Sequence, residues 1–496
     1  MSNNPFEDVT KRIKKSLAKR KAGPRQLLIG VGMFVVVTTL LAVNLIPTEH
    51  VREPFSLVRL AGVALLVFGI LVFSGIFLYD YRPYAFSQPQ LLLLLGSLFV
   101  AITALAKVMS VLAIAGNSYW GFLIPVAFVA MLVTLLFDPY LAIMLVISSS
   151  IVVGYVMYGD FYYTMTALLG GMVAVYTTTG IEERTELTRA GIITGLSMAF
   201  FAFTAGFLKG SASSALMNGI VGFLNGLFSA ILALGTLPFL EKHLGILTPM
   251  RLLELSNPNQ PLLRRLMTEA PGTYGHSVGV GNLAEAAAEA TGANALLVRV
   301  GAYYHDIGKL KRPAFFIENQ AGNGSKHENI NPKLSTLVIT SHVKEGVELG
   351  REAGLPQRIL DLIDEHHGRS IVTFFYHQEK KDKKGKAVND NDFRYNGEKP
   401  KSREAGILML ADAMEAASKT VKHPSISRFE TLAKHLVQER IDDGQLNESD
   451  MTLADMDKVV KSFAATLAGI YHKRVAYPDL TADDTRVRRQ RQRDDG

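Results

Sequence analysis

Apolar stretches of about 20 residues, long enough to cross a bilayer, recur along the first half of the chain at 26–46, 57–79, 90–110, 119–137, 139–158, 163–181, 190–208 and 216–240. The pattern predicts eight spanning helices. In the third, Lys107 falls near the end and Val111–Ala115 continues the apolar run. Pro125 and Pro238 are expected to kink their helices, and Gly170-Gly171 to allow close helix packing. After residue 240 the pattern becomes that of amphipathic helices separated by polar turns. Gly275–Ala290 is a strong helix former stopped by Gly292, and Asn331-Pro332 opens a helix running to about Glu352. Pro356–His367 is stopped by Gly368, and Glu404–Val421 follows. Ser427 with Glu430 has capping-box spacing and opens a helix ending near Gly444; Thr452 with Asp455 opens a last one to about Arg474. Ala295–Tyr304 reads as a buried helix that Asn294 caps and Gly308 ends. Asn319–Asn331 and Gln378–Ser402 read as loops.

The expected fold is therefore all-α: a basic cytosolic N-terminus (1–25), a polytopic membrane domain (26–240), a cytosolic helical domain (241–480) and a charged tail (481–496). Composition agrees, with 48% apolar residues among 496 and no cysteine. The first apolar stretch is too long for a cleaved signal peptide, lacks a small-residue cleavage site and is followed by further spans. Charge sets an expected orientation. Eight basic residues lie within the first 25, and Lys242 and Arg251 follow the last span, whereas 47–56, 111–118, 159–162 and 209–215 are poor in Lys and Arg. Both termini are thus expected in the cytoplasm. The net charge of +7 comes largely from the two ends and does not indicate nucleic-acid binding. Arg59 and Lys107 near span ends are expected to snorkel, and no charged pair marks an ion path. This half reads as an anchor or sensor rather than a transporter.

Candidate chemistry is concentrated in the second half. Of twelve histidines only His50 precedes residue 243. His276, His305, His342, His366 and His367 fall on or at the ends of predicted helices, as do Asp306 and Asp412; His327 and His377, on loops, are weaker additions. A His-Asp pair, a His-His pair and an aspartate within apolar Leu408–Met414 are costly to bury without counter-charge. A pair of divalent cations would supply it. Without cysteine, any metal must be held by nitrogen and oxygen.

The order of motifs resembles the membrane HD-domain phosphodiesterases with seven-transmembrane receptor architecture, which hydrolyse cyclic di-AMP. The resembling stretches are Leu253–Arg265, Glu269–Asn282, Gly301–Gln320, Ser341–Glu348, Glu365–Gly368, Asp392–Tyr395 and Ile407–Ser418, with Asp443–Leu446 and Gly469–His472 near the end, and spans two to eight as well. The resemblance implies an HD phosphohydrolase in a bacterial inner membrane. It implies that His276, His305, Asp306 and Asp412 hold one metal, and that His342, His366 and His367 hold a second, with Asp306 bridging. It implies iron or manganese, which suit imidazole and carboxylate better than magnesium does; ligand type also admits zinc. Asp306 is the expected catalytic carboxylate. Lys309, about one turn on, is expected to stabilise phosphoryl charge, with Arg369 and, less strongly, Lys311 and Arg312 as further phosphate candidates. Tyr303, Tyr376, Phe374, Phe375 and Tyr395 are candidates for the bases.

Long members of that family carry a large extracellular domain between the first two spans, where this chain has only Ile46–Ser56. The leading expectation is hydrolysis of cyclic di-AMP to linear pApA, with the bilayer and the dinucleotide as partners; a homodimer through either half is compatible with the sequence. The alternatives are cyclic di-GMP, guanosine tetraphosphate or a dNTP as substrate, or a silent nucleotide-binding receptor. Relatives that cut cyclic di-GMP carry Gly-Tyr-Pro after a paired histidine, where this chain reads Gly-Arg-Ser after His366-His367.

Overall fold

The computed structural model describes residues 57–82, 85, 89–115, 117–320, 326–383 and 387–471. The first expected span, the basic N-terminus, the loop 46–56, the Arg59 side chain and the charged tail lie outside the described residues. The chain divides into two compact units between Arg251 and Leu252.

The first unit holds α1 (Leu57–Tyr81), α2 (Pro89–Ala115), a 3-10 segment (Ser118–Leu123), α3 (Val126–Leu136), α4 (Pro139–Val156), α5 (Phe161–Thr178), α6 (Arg184–Leu208) and α7 (Ala212–Leu244). These are the second to eighth expected spans, with shifted ends. Among the described residues six helical segments are long and apolar enough to cross a membrane; α5 is not counted. Its apolar character is diluted by Thr164, Thr166, Thr177 and Thr178, whose hydroxyls donate to carbonyls in the preceding turn. The expected break after residue 110 is absent: α2 continues to Ala115, so Lys107 lies about two turns inside the helix.

Pro125 does not kink a helix but separates the 3-10 segment from α3. A break at membrane depth exposes carbonyls that lipid cannot satisfy. Asn225 of α7 answers this, its Nδ2 donating to the carbonyls of Phe122 at 2.7 Å and Ile124 at 3.1 Å. Pro238, by contrast, stays inside the continuous α7. The Gly170-Gly171 pair does permit close packing: a methyl on Gly170 would press into Met198 of α6, and one on Gly171 into Val146 of α4. Asp138 caps α4 and pairs with Arg82 at 2.7 Å, while Asp160 caps α5 and pairs with Lys209 at 2.5 Å.

The second unit contains α8 (Pro249–Ser256, which begins just before the division), α9 (Pro261–Glu269), α10 (Pro271–Thr291), α11 (Ala295–Tyr304), α12 (Pro332–Glu352), α13 (Gln357–Glu365), α14 (Thr373–Asp382), α15 (Arg403–Ser418), α16 (Ile426–Asp442) and α17 (Leu453–Ile470). Among the described residues the only β pairing is one isolated bridge, Ile371 with Arg394. Helix α10 is the hub, packing its Ala- and Gly-rich face against α11, α15 and α17. Small residues there let neighbouring backbones approach closely. Helix α15 is buried from Ala405 to Asp412, which explains its nearly unbroken apolar run. The cap of α16 is Ser425 rather than Ser427, its hydroxyl accepting from the Arg428 N–H. The second half of helix α14 was expected as the start of a loop; it is helical instead, with Lys380 and Lys381 exposed and Glu379 buried.

Candidate metal centre

The His-Asp pair is set by how α11 ends. Asn294 caps its start, accepting from the Leu297 N–H, and the buried Tyr304 donates its hydroxyl to the Leu255 carbonyl at 2.9 Å. The helix stops at Tyr304, four residues before the glycine expected to end it, and Ile307–Lys311 forms a 3-10 turn. Gly308 serves another purpose. A Cβ there would strike the His342 carbonyl and the Gly346 nitrogen, so only glycine lets this turn lie against α12. That approach brings Asp306 to His342.

Four elements converge on Asp306. His276 comes from the middle of α10, His342 from α12, His366 and His367 from the turn after α13, and Asp412 from α15. One carboxylate oxygen of Asp306, Oδ2, lies 3.2 Å from His305 Nε2 and 3.6 Å from His276 Nε2. The other, Oδ1, lies 3.3 Å from His342 Nε2 and 3.8 Å from His366 Nε2. Asp412 Oδ1 lies 3.0 Å from His276 Nε2, and its Oδ2 lies 3.5 Å from His367 Nδ1. Three overlapping groups could each hold a metal ion: His276, His305 and Asp412; His342, His366 and His367; and His305, Asp306 and His366. All seven expected ligands are thus brought together.

The imidazoles are aimed as well as gathered. Nδ1 of His305, His342 and His366 faces the carbonyl three residues earlier (Ala302, Ile339 and Ile363) at 2.6, 2.6 and 2.7 Å. Each carbonyl can only accept, so Nδ1 carries a proton and Nε2 is the ring atom turned to the centre. His276 does the same through Glu415, whose Oε2 is 2.6 Å from its Nδ1. Meanwhile His305 Nε2 and Asp306 Oδ1 are buried without a hydrogen-bond partner, and Asp306 Oδ2 meets only the Lys309 ammonium and imidazole nitrogens. Buried polar atoms are seldom left unpaired, and ring nitrogens converging from two sides of one carboxylate fit a pair of cations.

Comparison with known proteins identifies the family of both halves of the chain. The family described as 7TM receptor with intracellular HD hydrolase matches residues 57–248, and the HD domain matches residues 273–417. The chain belongs to this 7TM receptor–HD hydrolase family. It is 37% identical over 429 residues to the Bacillus subtilis protein named cyclic-di-AMP phosphodiesterase PgpH, covering 83% of this chain and 60% of that one. The Listeria monocytogenes protein of the same name is 33% identical over 429 residues, covering 84% of this chain and 59% of that one. The chain therefore spans about 60% of the length of these curated relatives. Crystal structures of the Listeria PgpH HD domain, one of them in complex with cyclic-di-AMP, are 41% identical and fully covered; they cover 43% and 44% of this chain, with TM-scores of 0.41 and 0.42.

Within this 7TM receptor–HD hydrolase, the substrate candidates separate. Lys309 is at the centre, its Nζ 2.6 Å from Asp306 Oδ2 and 2.8 Å from Glu318 Oε1. Tyr303 packs instead on Gly281 of α10, and Tyr376 lies against Phe393 with Lys380 over its ring. Arg369 is exposed, its N–H donating to Gln445 and its carbonyl accepting from Arg394. Arg312 pairs with Glu345, and Lys311 is exposed. His327 Nε2 meets the Phe315 carbonyl at 2.9 Å, and His377 lies on α14 rather than on a loop. A cleft of about 250 Å³ opens beside the centre, lined by His366, His367, Asp412, Tyr395, Phe374 and Arg440 among others. Tyr395 stacks on His367 with ring centroids 4.1 Å apart.

The charges are polarised across the centre. Burial alone would depress the His305 imidazole, but the Asp306 and Asp412 carboxylates outweigh it and raise it to about 10. Burial together with the His305 and His342 charges pushes His366 down to about 3. Burial would raise Asp306, yet His305 and Lys309 hold it well below the usual carboxylate range. Asp306 is thus an anion at neutral pH. Glu415 and Glu318 escaped the sequence reading because they lie far along the chain from His276 or on a strap whose course sequence does not fix.

Proposed function

We propose that this chain is a membrane-anchored phosphodiesterase that hydrolyses cyclic di-AMP to linear pApA at a dinuclear centre. His276, His305 and Asp412 would hold one cation and His342, His366 and His367 the other, with Asp306 between them; imidazole and carboxylate donors favour Mn(II) or Fe(II). The observation that carries the reading is the division of the Asp306 carboxylate, one oxygen toward each set of histidines. When bound, the cations supply Lewis acidity toward the phosphodiester and acidify the attacking water. The protein's part is orientation. Backbone carbonyls and Glu415 fix the tautomers, burial keeps bulk water from the imidazoles, and Lys309 places an ammonium where phosphoryl charge grows.

The membrane unit would place this centre in the cytoplasm of a bacterial cell, with both termini inside, as the basic N-terminal run and sparse charge of the expected outer loops support. The substrate assignment draws on the activity named for the two curated relatives. Turnover by the full chain in detergent micelles with added Mn(II) tests it. Cyclic di-AMP is expected to be opened to pApA, cyclic di-GMP more slowly, and Asp306→Ala to lose activity by at least about 10³-fold, as expected for removal of a group central to the catalytic unit. Metal uptake without cleavage of either dinucleotide would overturn the reading.

A further inference from the structure

The cleft beside the metal centre contains polar groups that the seven ligands do not use. Arg440 sits in the last turn of α16, and its side chain is 18% exposed. Its Nε is buried with no hydrogen-bond partner, and so is the hydroxyl of Ser370 on the same cleft. Among the described residues the Arg440 guanidinium makes one ion pair, at 3.3 Å from Nη1 to its sequence neighbour Glu439. A half-buried guanidinium with an open edge is a costly arrangement unless an anion completes it, and its planar fork matches a phosphate. The rest of the lining suits what flanks a phosphate in a nucleotide. Ile371, Val372 and Met409 offer apolar surface, and Phe374, 72% exposed, offers a ring face with nothing covering most of it.

We infer that Arg440, with Ser370, binds the second phosphate of the substrate, the one not being cut. A ring dinucleotide has two phosphodiesters; with one at the His-Asp centre, the other lies within the same small molecule and needs its own partner. The cleft joins the two places, since His366, His367 and Asp412 line it together with Arg440 and Ser370. Arg440 is then a specificity-determining residue that favours ligands with two phosphates over those with one. This inference rests on the phosphodiesterase reading above.

The test compares cyclic di-AMP with bis(p-nitrophenyl) phosphate, which has a single phosphodiester, using the full chain in detergent micelles with Mn(II). Arg440→Ala is expected to raise KM for cyclic di-AMP by about 10- to 100-fold, the effect of losing a hydrogen bond to a charged group, with the larger share of the loss in KM rather than kcat. Its loss of kcat/KM on the single phosphodiester should be about tenfold smaller or less. Arg440→Lys, which keeps charge but not the fork, should recover part of the KM, and Ser370→Ala should give a smaller change in the same direction. Ser370→Ala also serves as the deciding variant if Arg440→Ala does not fold. Equal losses on the two substrates, or a fall in kcat with unchanged KM, overturn the inference while leaving the phosphodiesterase intact. A wild type that cuts bis(p-nitrophenyl) phosphate but not cyclic di-AMP overturns the reading itself, and this inference with it.

Discussion

At the residue scale, four of the seven donors, His276, His305, His342 and His366, are aimed by partners that are themselves held. Glu415 accepts from His276 Nδ1 and is in turn paired with Lys419 at 2.8 Å. Burial would raise its carboxyl, but the bonds from His276 and Lys419 keep it below its ordinary value, so it is an anion at neutral pH. Removing such a partner ordinarily weakens metal binding by about 10–100-fold. Glu415→Ala should therefore lower Mn(II) affinity by about that factor in a titration of the full chain, with Glu415→Gln intermediate because its amide oxygen can still accept. Unchanged affinity in both variants would remove Glu415 from the centre. The seven donors were legible in sequence because buried His and Asp need counter-charge wherever they stand. Glu415 was not, because nothing in a sequence places it against a histidine 139 positions away. Arg440 was missed for the same reason: a single arginine in an amphipathic helix looks like any solvated one.

At the scale of elements, the helices with strong caps were readable and those defined only by packing were not. Thr452 and Asp455 form the expected capping box, and Asn331-Pro332 opens α12 as its residues dictate. Helices α8, α9 and α14 are short, and what holds them is the face they share with neighbours rather than their own propensity. The segment between α14 and α15 is fastened by a two-pronged ion pair. Arg394 Nη1 and Nη2 donate to the two oxygens of Asp443 at 3.0 and 2.9 Å, tying the stretch that carries Tyr395 to the end of α16. Burial would raise the Asp443 carboxyl, yet Arg394 and Gln445 lower it below its ordinary value. A depressed folded pKa means the contribution is complete above the unfolded value, about 3.9, and fades as pH falls through the lower folded one. Asp443→Asn should thus cost about 0.5–1 kcal/mol at pH 7, the modest worth of a solvent-screened pair. The difference from wild type in chemical denaturation should shrink toward pH 3. A difference that grows on acidification would contradict the pairing.

At the scale of the molecule, the two units are built on different packing chemistries. The hydrolase unit buries apolar side chains around α10, where water supplies the driving force. In lipid that force is missing between helices, and close backbone contact takes its place. The crossing of α6 and α7 is made this way. A Cβ on Gly226 would strike the nitrogen and Cα of Gly195, and one on Gly195 would strike the Phe223 carbonyl, so the two backbones touch. Gly235, on the same helix α7, has open space around it. Gly226→Val should then force the helices apart and cost about 1–3 kcal/mol or more, the range for overpacking, lowering the thermal midpoint of the full chain in detergent. Gly235→Val serves as the control. It changes helix propensity by the same substitution but meets no neighbour, so its midpoint should stay near that of the wild type. Equal shifts in the two variants would mean that the glycine at 226 answers to backbone flexibility rather than to the contact with Gly195, and the packing account of this unit would fail at its tightest point.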